Sequence, residues 1–562
     1  MAERPELRTW LNWSMVVNTP PLTKELYRFA LQTFPRANLL ISCARLSSVL
    51  KLGAEGKTVA SDELTARYIQ KLFDPATAER VKHFADKGQV IFFQGQLRYL
   101  AAEVMRLEPK IPDEAFVEDA NIGKLLLGAA ELMHFQHIDM SEELDSIARV
   151  VAEFLPVSEV DSLNDAFSLF LRFYICLRMM IPRLPAHKRL FDVDVEFEQA
   201  FGFPLKLYYL FVYTCIMHAR LDREDKPAEA GPGGSFGKEW FKSTDLTDEQ
   251  LEKLFRSVSC SLDDLPDRKT PHGYADFDYL RDHPYFRYNE QLYCLDYEYA
   301  VSKVESGVIW RVRDNLPKNK REAYFSFWGY VFEEYVAWLF EAYADKRTNE
   351  FYRSPRYEDK QNEEICDAIV ICGKVAVLVE DKQAICSSEV RYSGSHEKVR
   401  KFLEDRLVSP KGVKQLATAI ENITSVPKER LPRYLRGIKK YVPLIITKDD
   451  AGSGWMVNRY LNARFNEEFK RRKHKRFKIT PLVSMSVGTL ERAISALSRM
   501  ALSDILEDRI RSDSSLSIPF EAASSLVPRG TPRNMDKHLE IMHRITREMQ
   551  AEFKLRDSPA SA

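Results

Sequence analysis

The sequence predicts a multidomain chain mixing α+β and α/β organisation, with a largely helical amino-terminal region followed by a mixed-sheet core flanked by helices. Three observations lead there. A chain of 562 residues exceeds one ordinary domain and suggests roughly three or four. Apolar residues recur three and four apart through TKELYRFALQTF, ELTARYIQKLF and DANIGKLLLGAAELMHF, the stripe that packed helices need. Farther along, short apolar runs bounded by turn residues, CDAIVICGKVAVLVEDKQ (366–383) foremost, read as strands.

Composition narrows the class. Hydrophobic residues make up 45% and aromatic residues 11% of the chain, enough for substantial cores. The formal net charge is zero, so no global field advertises a nucleic-acid partner, although a local basic patch would hold phosphates. The eight cysteines form no CxxC pair, which argues against a structural zinc site or a disulfide framework. MAERPELRTWLNW lacks the basic-then-apolar pattern of a secretory signal. LKLYYLFVYTCIM (205–217) is too short to span hydrocarbon and reads as a buried helix. A cytoplasmic protein with reduced thiols and no membrane partner is the expectation.

Taken in order, residues 1–225 read as a helical domain without a catalytic constellation. The polar break DREDKPAEAGPGGSFGKEW (222–240) is a linker or long loop. Its GGSFG matches the GxSxG hydrolase pattern but lacks the preceding strand that a nucleophile elbow needs, so a loop is expected. Residues 240–310 form an intervening α/β segment. In it HPYFRYNEQLYCLDYEYA (283–300) predicts two aromatic strands around Asn289-Glu290, leading into a helix from Val301. YFSFWGYVFEEYVAWLFEAYADK (324–346) predicts a long helix, and FYRSPRY a strand.

The run 366–383 is apolar except for carboxylates near its ends, which an interior strand does not tolerate without compensation. Gly373-Lys374 reads as a two-residue type II′ turn. Counting outward from it, Cys372 opposes Val375 and Asp367 opposes Glu380. Lys382 shares a face with Glu380, while Asp381 points the other way. Two carboxylates at cross-strand distance repel unless a positive charge intervenes. A divalent cation supplies one, and oxygen ligands favour Mg²⁺ or Mn²⁺. Lys382 would then stabilise developing phosphorane charge or handle a proton. The plain alternative is a solvated strand face with a routine lysine–carboxylate pair.

With its neighbours, this arrangement resembles the PD-(D/E)xK nuclease superfamily over about residues 310–510. Asp367 and Glu380-Asp381-Lys382 stand where the signature has Asp and E-x-K, with Cys366 in place of proline. GYVFEEYVAWLF resembles the first core helix, in which Glu333, rather than Glu334, matches the glutamate that reaches the metal. SPKGVKQLATAIENI resembles the following helix, with Lys414 and Gln415 near the site or the phosphates. YVPLIIT and KITPLVSMS supply later strands, and GTLERAISAL begins another helix. Residues 390–407 are longer than the minimal core and include a helix, SHEKVRKFLEDRL.

The resemblance implies a restriction-endonuclease-like core at 311–510. Asp367, Glu380 and Glu333 would hold Mg²⁺ (or Mn²⁺), Lys382 would assist, and phosphodiester bonds would be hydrolysed. DNA is favoured over RNA, in restriction, repair or defence against foreign genomes. A catalytically inactive nuclease-like protein that binds nucleic acid or regulates is the rival expectation, and a helical interaction scaffold a third. The run FKRRKHKRFK contributes Arg471, Arg472, Lys473, Lys475 and Arg476 as phosphate contacts, or else forms a solvated loop. Residues 511–533 read as a linker. Residues 534–556 read as an amphipathic helix with Leu539, Met542, Ile545, Met549 and Phe553 on one side. Docking on its own chain is favoured there over self-association, and a regulatory partner is left open.

Overall fold

Short polar caps delimit the amino-terminal helices. The Thr23 hydroxyl accepts from Leu26 N to open Lys24–Leu31, and Asp74 with Pro75 opens Pro75–Asp86. The structure, a computed structural model, describes residues 10–52, 62–108, 110–112, 117, 119–133, 143–158, 166–224, 235–242, 244–265, 276–358, 363–470, 477–524 and 536–553. In its first part, Arg36–Leu52, Gln94–Arg106 and Asp119–Leu132 enclose a core that also takes in Phe286, Leu295 and Tyr299 from the intervening segment. Buried Arg98 stitches the two together, donating to the Asp296 carboxylate and to Glu298.

The intervening segment holds a four-stranded sheet of order β1-β4-β3-β2, with β1 Ser235–Phe236, β2 Ser259–Cys260, β3 Tyr285–Tyr288 and β4 Gln291–Cys294. Asn289 and Glu290 turn β3 into β4 at positive φ (48° and 59°), the conformation that a tight hairpin requires. The helix expected from Val301 begins earlier, at Tyr297, where the Asp296 side chain caps it. GGSFG departs from the loop reading: Ser235 and Phe236 form β1, paired antiparallel with β4. A short 3-10 turn, Lys238–Phe241, follows them.

The larger sheet is mixed. It comprises β5 Glu350–Arg353, β6 Ala368–Cys372, β7 Val375–Lys382, β8 Lys440–Thr447, β9 Lys478–Ile479 and β10 Val483–Ser486. Its order is β10-β8-β7-β6-β5, with β9 also on β8. β5, β6 and β7 form an antiparallel meander, whereas β7, β8 and β10 run parallel. The crossover from β7 to β8 carries His396–Leu403 and Val413–Ser425, and that from β8 to β10 carries Val457–Lys470, as parallel neighbours demand.

Alternation divides the sheet between two cores. Val370, Val377, Val379 and Leu444 pack with the long helix Arg321–Tyr343 and with Val487–Leu497. Ile369, Ile371, Leu378 and Ile445 pack with Val413–Ser425 and Val457–Lys470. The helical region does not stand apart from this sheet. Leu144–Ser158 joins the second core, while Ala166–Ile175 and Leu205–Glu224 join the first. Arg172 fixes the union: its guanidinium makes two bonds to Glu491 (2.7 and 2.8 Å) and one to Glu305 (3.4 Å).

Within the expected linker, Leu516 and Phe520 are buried and Arg509 donates to Ile518 O; residues 525–535 lie outside the described residues. The carboxy-terminal helix Asp536–Phe553 docks on its own chain through Tyr343 to His538 (2.6 Å) and through Tyr174 and Tyr209 to Glu548. Of the expected stripe, Ile545 is buried, Met542 half-buried and Leu539 exposed, and the side chains of Met549 and Phe553 lie outside the described residues. His538, Ile541 and Ile545 face inward, because the aromatic surface the helix meets selects the face.

Candidate active site

The β6–β7 hairpin has the register that its turn predicts. Gly373 holds φ 62°, which glycine tolerates without strain. The ladder runs from Cys372 opposite Val375 to Ala368 opposite Val379, so Asp367 and Glu380 continue it by one step. At that end Lys382 Nζ donates to Glu380 Oε2 at 2.6 Å and to Asp367 Oδ2 at 3.4 Å. Asp367 Oδ2 also accepts the Asp381 backbone N–H at 2.8 Å, and the Asp367 carbonyl accepts from Ser354 N at 2.9 Å. Asp367, Glu380 and Lys382 thus form one cluster.

Glu333 reaches the cluster from the long helix. It lines a cavity of about 20 Å³ together with Asp367, Asp381, Glu364, Arg353 and Ser354, room for a single water or ion. Glu334 is engaged elsewhere, by the Arg353 guanidinium of β5, and this pair ties the helix to the edge of the meander. Asp381 takes the orientation that alternation predicts. Alternation does turn it away from Glu380, but the face it turns to is covered by the long helix, so its side chain lines the cavity beside Glu333 and Asp367. The signal for this lay in the hairpin register; the missing information was which face the long helix covers.

Burial and mutual repulsion dominate the electrostatics. Burial, reinforced by the Asp367 charge, pushes the Glu333 carboxyl up to about 7. Glu380 is fully buried, and that burial carries it up to about 8 in spite of Lys382 beside it. Asp381 is likewise pushed well above the ordinary carboxylate range by burial and then by Asp367. Burial opposes the charge of Lys382, yet Glu380 and Asp367 outweigh it and hold the ammonium above its usual value. The outcome is three carboxyls that burial makes reluctant to ionise, with one cation among them.

The other expected contacts are less engaged. Lys414 is exposed and Gln415 half-buried in the first turn of Val413–Ser425; among the described residues, no hydrogen bond joins either to the cluster. Arg471, Arg472, Lys473, Lys475 and Arg476 lie outside the described residues.

The side-chain donors here are carboxylate oxygens, the kind that hard divalent cations take. Glu380 Oε1 and Asp381 Oδ1 are buried without any hydrogen-bond partner, an arrangement that is costly unless something positive meets it. Asp381 lines the acid-lined cavity, whereas Glu380 lies on the other side of the same strand, beside Lys382. Among the described residues, no group of three or more His, Cys, Asp or Glu side chains is placed to hold a metal ion, and no helix is long and apolar enough to cross a membrane. Comparisons with protein-family models, curated proteins and solved structures find no match.

Proposed function

We propose that the protein is a metal-dependent nuclease of the PD-(D/E)xK type, hydrolysing phosphodiester bonds with DNA favoured over RNA. The observation that carries the reading is the end of the β6–β7 hairpin. There Lys382 joins Asp367 and Glu380, and Asp367 also lines a small cavity with Glu333 and Asp381, with two buried carboxylate oxygens lacking partners. Asp367, Glu380 and Glu333 are the residues that would hold Mg²⁺ or Mn²⁺, and Asp381 adds a carboxylate on the Glu333 side. When bound, such a cation polarises the phosphoryl oxygen and lowers the pKa of water.

The chain's own groups do the rest. Asp367 orders the site by accepting the Asp381 N–H and the Lys382 ammonium. Lys382, kept charged by its two carboxylates, stands ready to stabilise negative charge developing on the phosphate. The long helix, clamped by the Glu334 to Arg353 pair, fixes Glu333 over the cavity.

Purified protein should cleave duplex DNA in Mg²⁺ or Mn²⁺ and stop when EDTA removes the cation. Mg²⁺ should also raise the melting temperature of the protein without nucleic acid, by linkage to the folded state. Undiminished cleavage in EDTA would contradict the mechanism. Tight nucleic-acid binding without cleavage in either cation would point instead to an inactive relative.

A further inference from the structure

The cluster of carboxylates poses a problem for its own substrate, since a phosphodiester approaching it meets negative charge. The two cations inside are engaged: Lys382 by Glu380 and Asp367, Arg353 by Glu334. The helical region supplies further cations in a loop packed on the long helix. Between the turn Ile181–Arg183 and the helix Val193–Phe201 the chain reads IPRLPAHKRLF (181–191), with Arg183, Lys188 and Arg189 and no carboxylate.

This loop is built rather than loose. The backbone N–H groups of Lys188 and Arg189 both donate to Pro185 O (2.9 and 3.1 Å). The Arg189 guanidinium closes the loop on Pro182 O (2.6 Å) and Leu184 O (3.1 Å). Phe191 anchors it on the long helix, edge-on to Tyr324 at 5.2 Å and against Phe327 at 5.8 Å. Lys188 then reaches along that helix, its Nζ 4.3 Å from the centre of the Tyr330 ring. Tyr330 precedes Glu333 by three residues and so shares its helix face, with about 5–6 Å between their Cβ atoms. Arg183 and Arg189 are exposed and Lys188 is half-buried. Among the described residues, no carboxylate forms an ion pair with any of the three.

We propose that the loop 182–190 is a phosphate clamp at the mouth of the cavity, by which the helical region holds the sugar–phosphate backbone of a nucleic acid across the site. The proposal rests on the nuclease reading and gives the helical region a role within it. Lys188 and Arg183 make the contacts, and Arg189 holds the loop in shape. Such contacts position the backbone without reading sequence.

The test uses the full chain, with Arg183→Ala/Lys188→Ala as the probe variant, Lys188→Arg as the charge-conserving one, and exposed Lys253→Ala as a control. Each is assayed for cleavage and binding on a short DNA duplex, its single strand and the matching RNA, over a series of salt concentrations. The double variant should raise KM by roughly three- to fivefold for each phosphate-binding cation removed, with the effect falling on KM rather than kcat. Its salt slope on duplex should become shallower by about 0.9 per cation removed. Lys188→Arg should restore most of the affinity, and Lys253→Ala should match the wild type. Wild-type protein that cleaves normally, together with a double variant of unchanged KM and salt slope, overturns the clamp and leaves the nuclease reading intact. Wild-type protein that binds none of the three nucleic acids overturns both.

Discussion

Replacing Asp367 separates the chemistry of the site from its architecture. One oxygen of this side chain accepts the Asp381 N–H at 2.8 Å and the Lys382 ammonium at 3.4 Å. Asp367→Ala leaves that N–H without its acceptor at the end of a buried strand, at a cost of about 1–3 kcal/mol. Asp367→Asn keeps an amide oxygen in place while removing a charge that raises both Glu333 and Asp381. In EDTA the asparagine variant should therefore melt at or above the wild type, and the alanine variant below it. Both should lose cleavage alike, because a cation-stabilised phosphoryl transfer draws several kcal/mol from its ligands. At about 1.4 kcal/mol per tenfold, the loss is at least about a hundredfold. Single-turnover cleavage with enzyme in excess measures the chemical step, and melting curves with and without Mg²⁺ report cation binding independently. An asparagine variant that cleaves within tenfold of the wild type, or keeps the full Mg²⁺-dependent rise in melting temperature, would refute the reasoning.

Other expectations follow from the same structure. Asp381→Asn should also impair cleavage under single-turnover conditions, since its side chain lines the cavity with Glu333 and Asp367. Arg172→Met strands the buried Glu491 carboxylate and should cost about 3–5 kcal/mol in chemical denaturation, whereas Arg172→Met/Glu491→Leu should recover much of it. His538 is pushed down to about 4 by burial. The unfolded chain therefore takes up its proton first on acidification, and about 3 kcal/mol of stability should be lost as pH falls from 6.5 to 4; His538→Gln should flatten that dependence in pH-resolved melting. Neutralising Arg471, Arg472, Lys473, Lys475 and Arg476 should weaken duplex binding across sequences and reduce the salt slope, as titrations at several salt concentrations would measure.

What was legible in the sequence was local. The Gly373-Lys374 turn determines the strand pairing beside it, so the juxtaposition of Asp367, Glu380 and Lys382 follows from counting. The long helix and the β3–β4 hairpin announce themselves by period and by turn chemistry in the same way. The attachment of the helical region to the sheet was not legible, because it depends on contacts such as Arg172 to Glu491, which are 319 residues apart. The carboxy-terminal helix makes the same point. The sequence stripe through Leu539, Met542 and Ile545 omits His538 and Ile541, which turn inward toward the surface that Tyr174, Tyr209 and Tyr343 help provide.

The carboxylates that interrupt the apolar run find their explanation in the two cores. Along β7, alternate residues serve opposite cores, Val377 and Val379 one and Ala376 and Leu378 the other. Glu380 and Asp381 continue that alternation as a pair of carboxyls, one toward each side of the sheet. A valine at either position would extend the adjoining core and would need no partner. Instead Glu380 is fully buried with Oε1 unpartnered, and Asp381 is buried with Oδ1 unpartnered. Each such group costs stability, and Lys382 offsets only part of it. Departures of this kind from a locally favourable sequence gather at functional sites. Under the proposed function, a cation held by Asp367 beside these carboxyls would offset part of that cost, and melting curves with and without Mg²⁺ test whether it does.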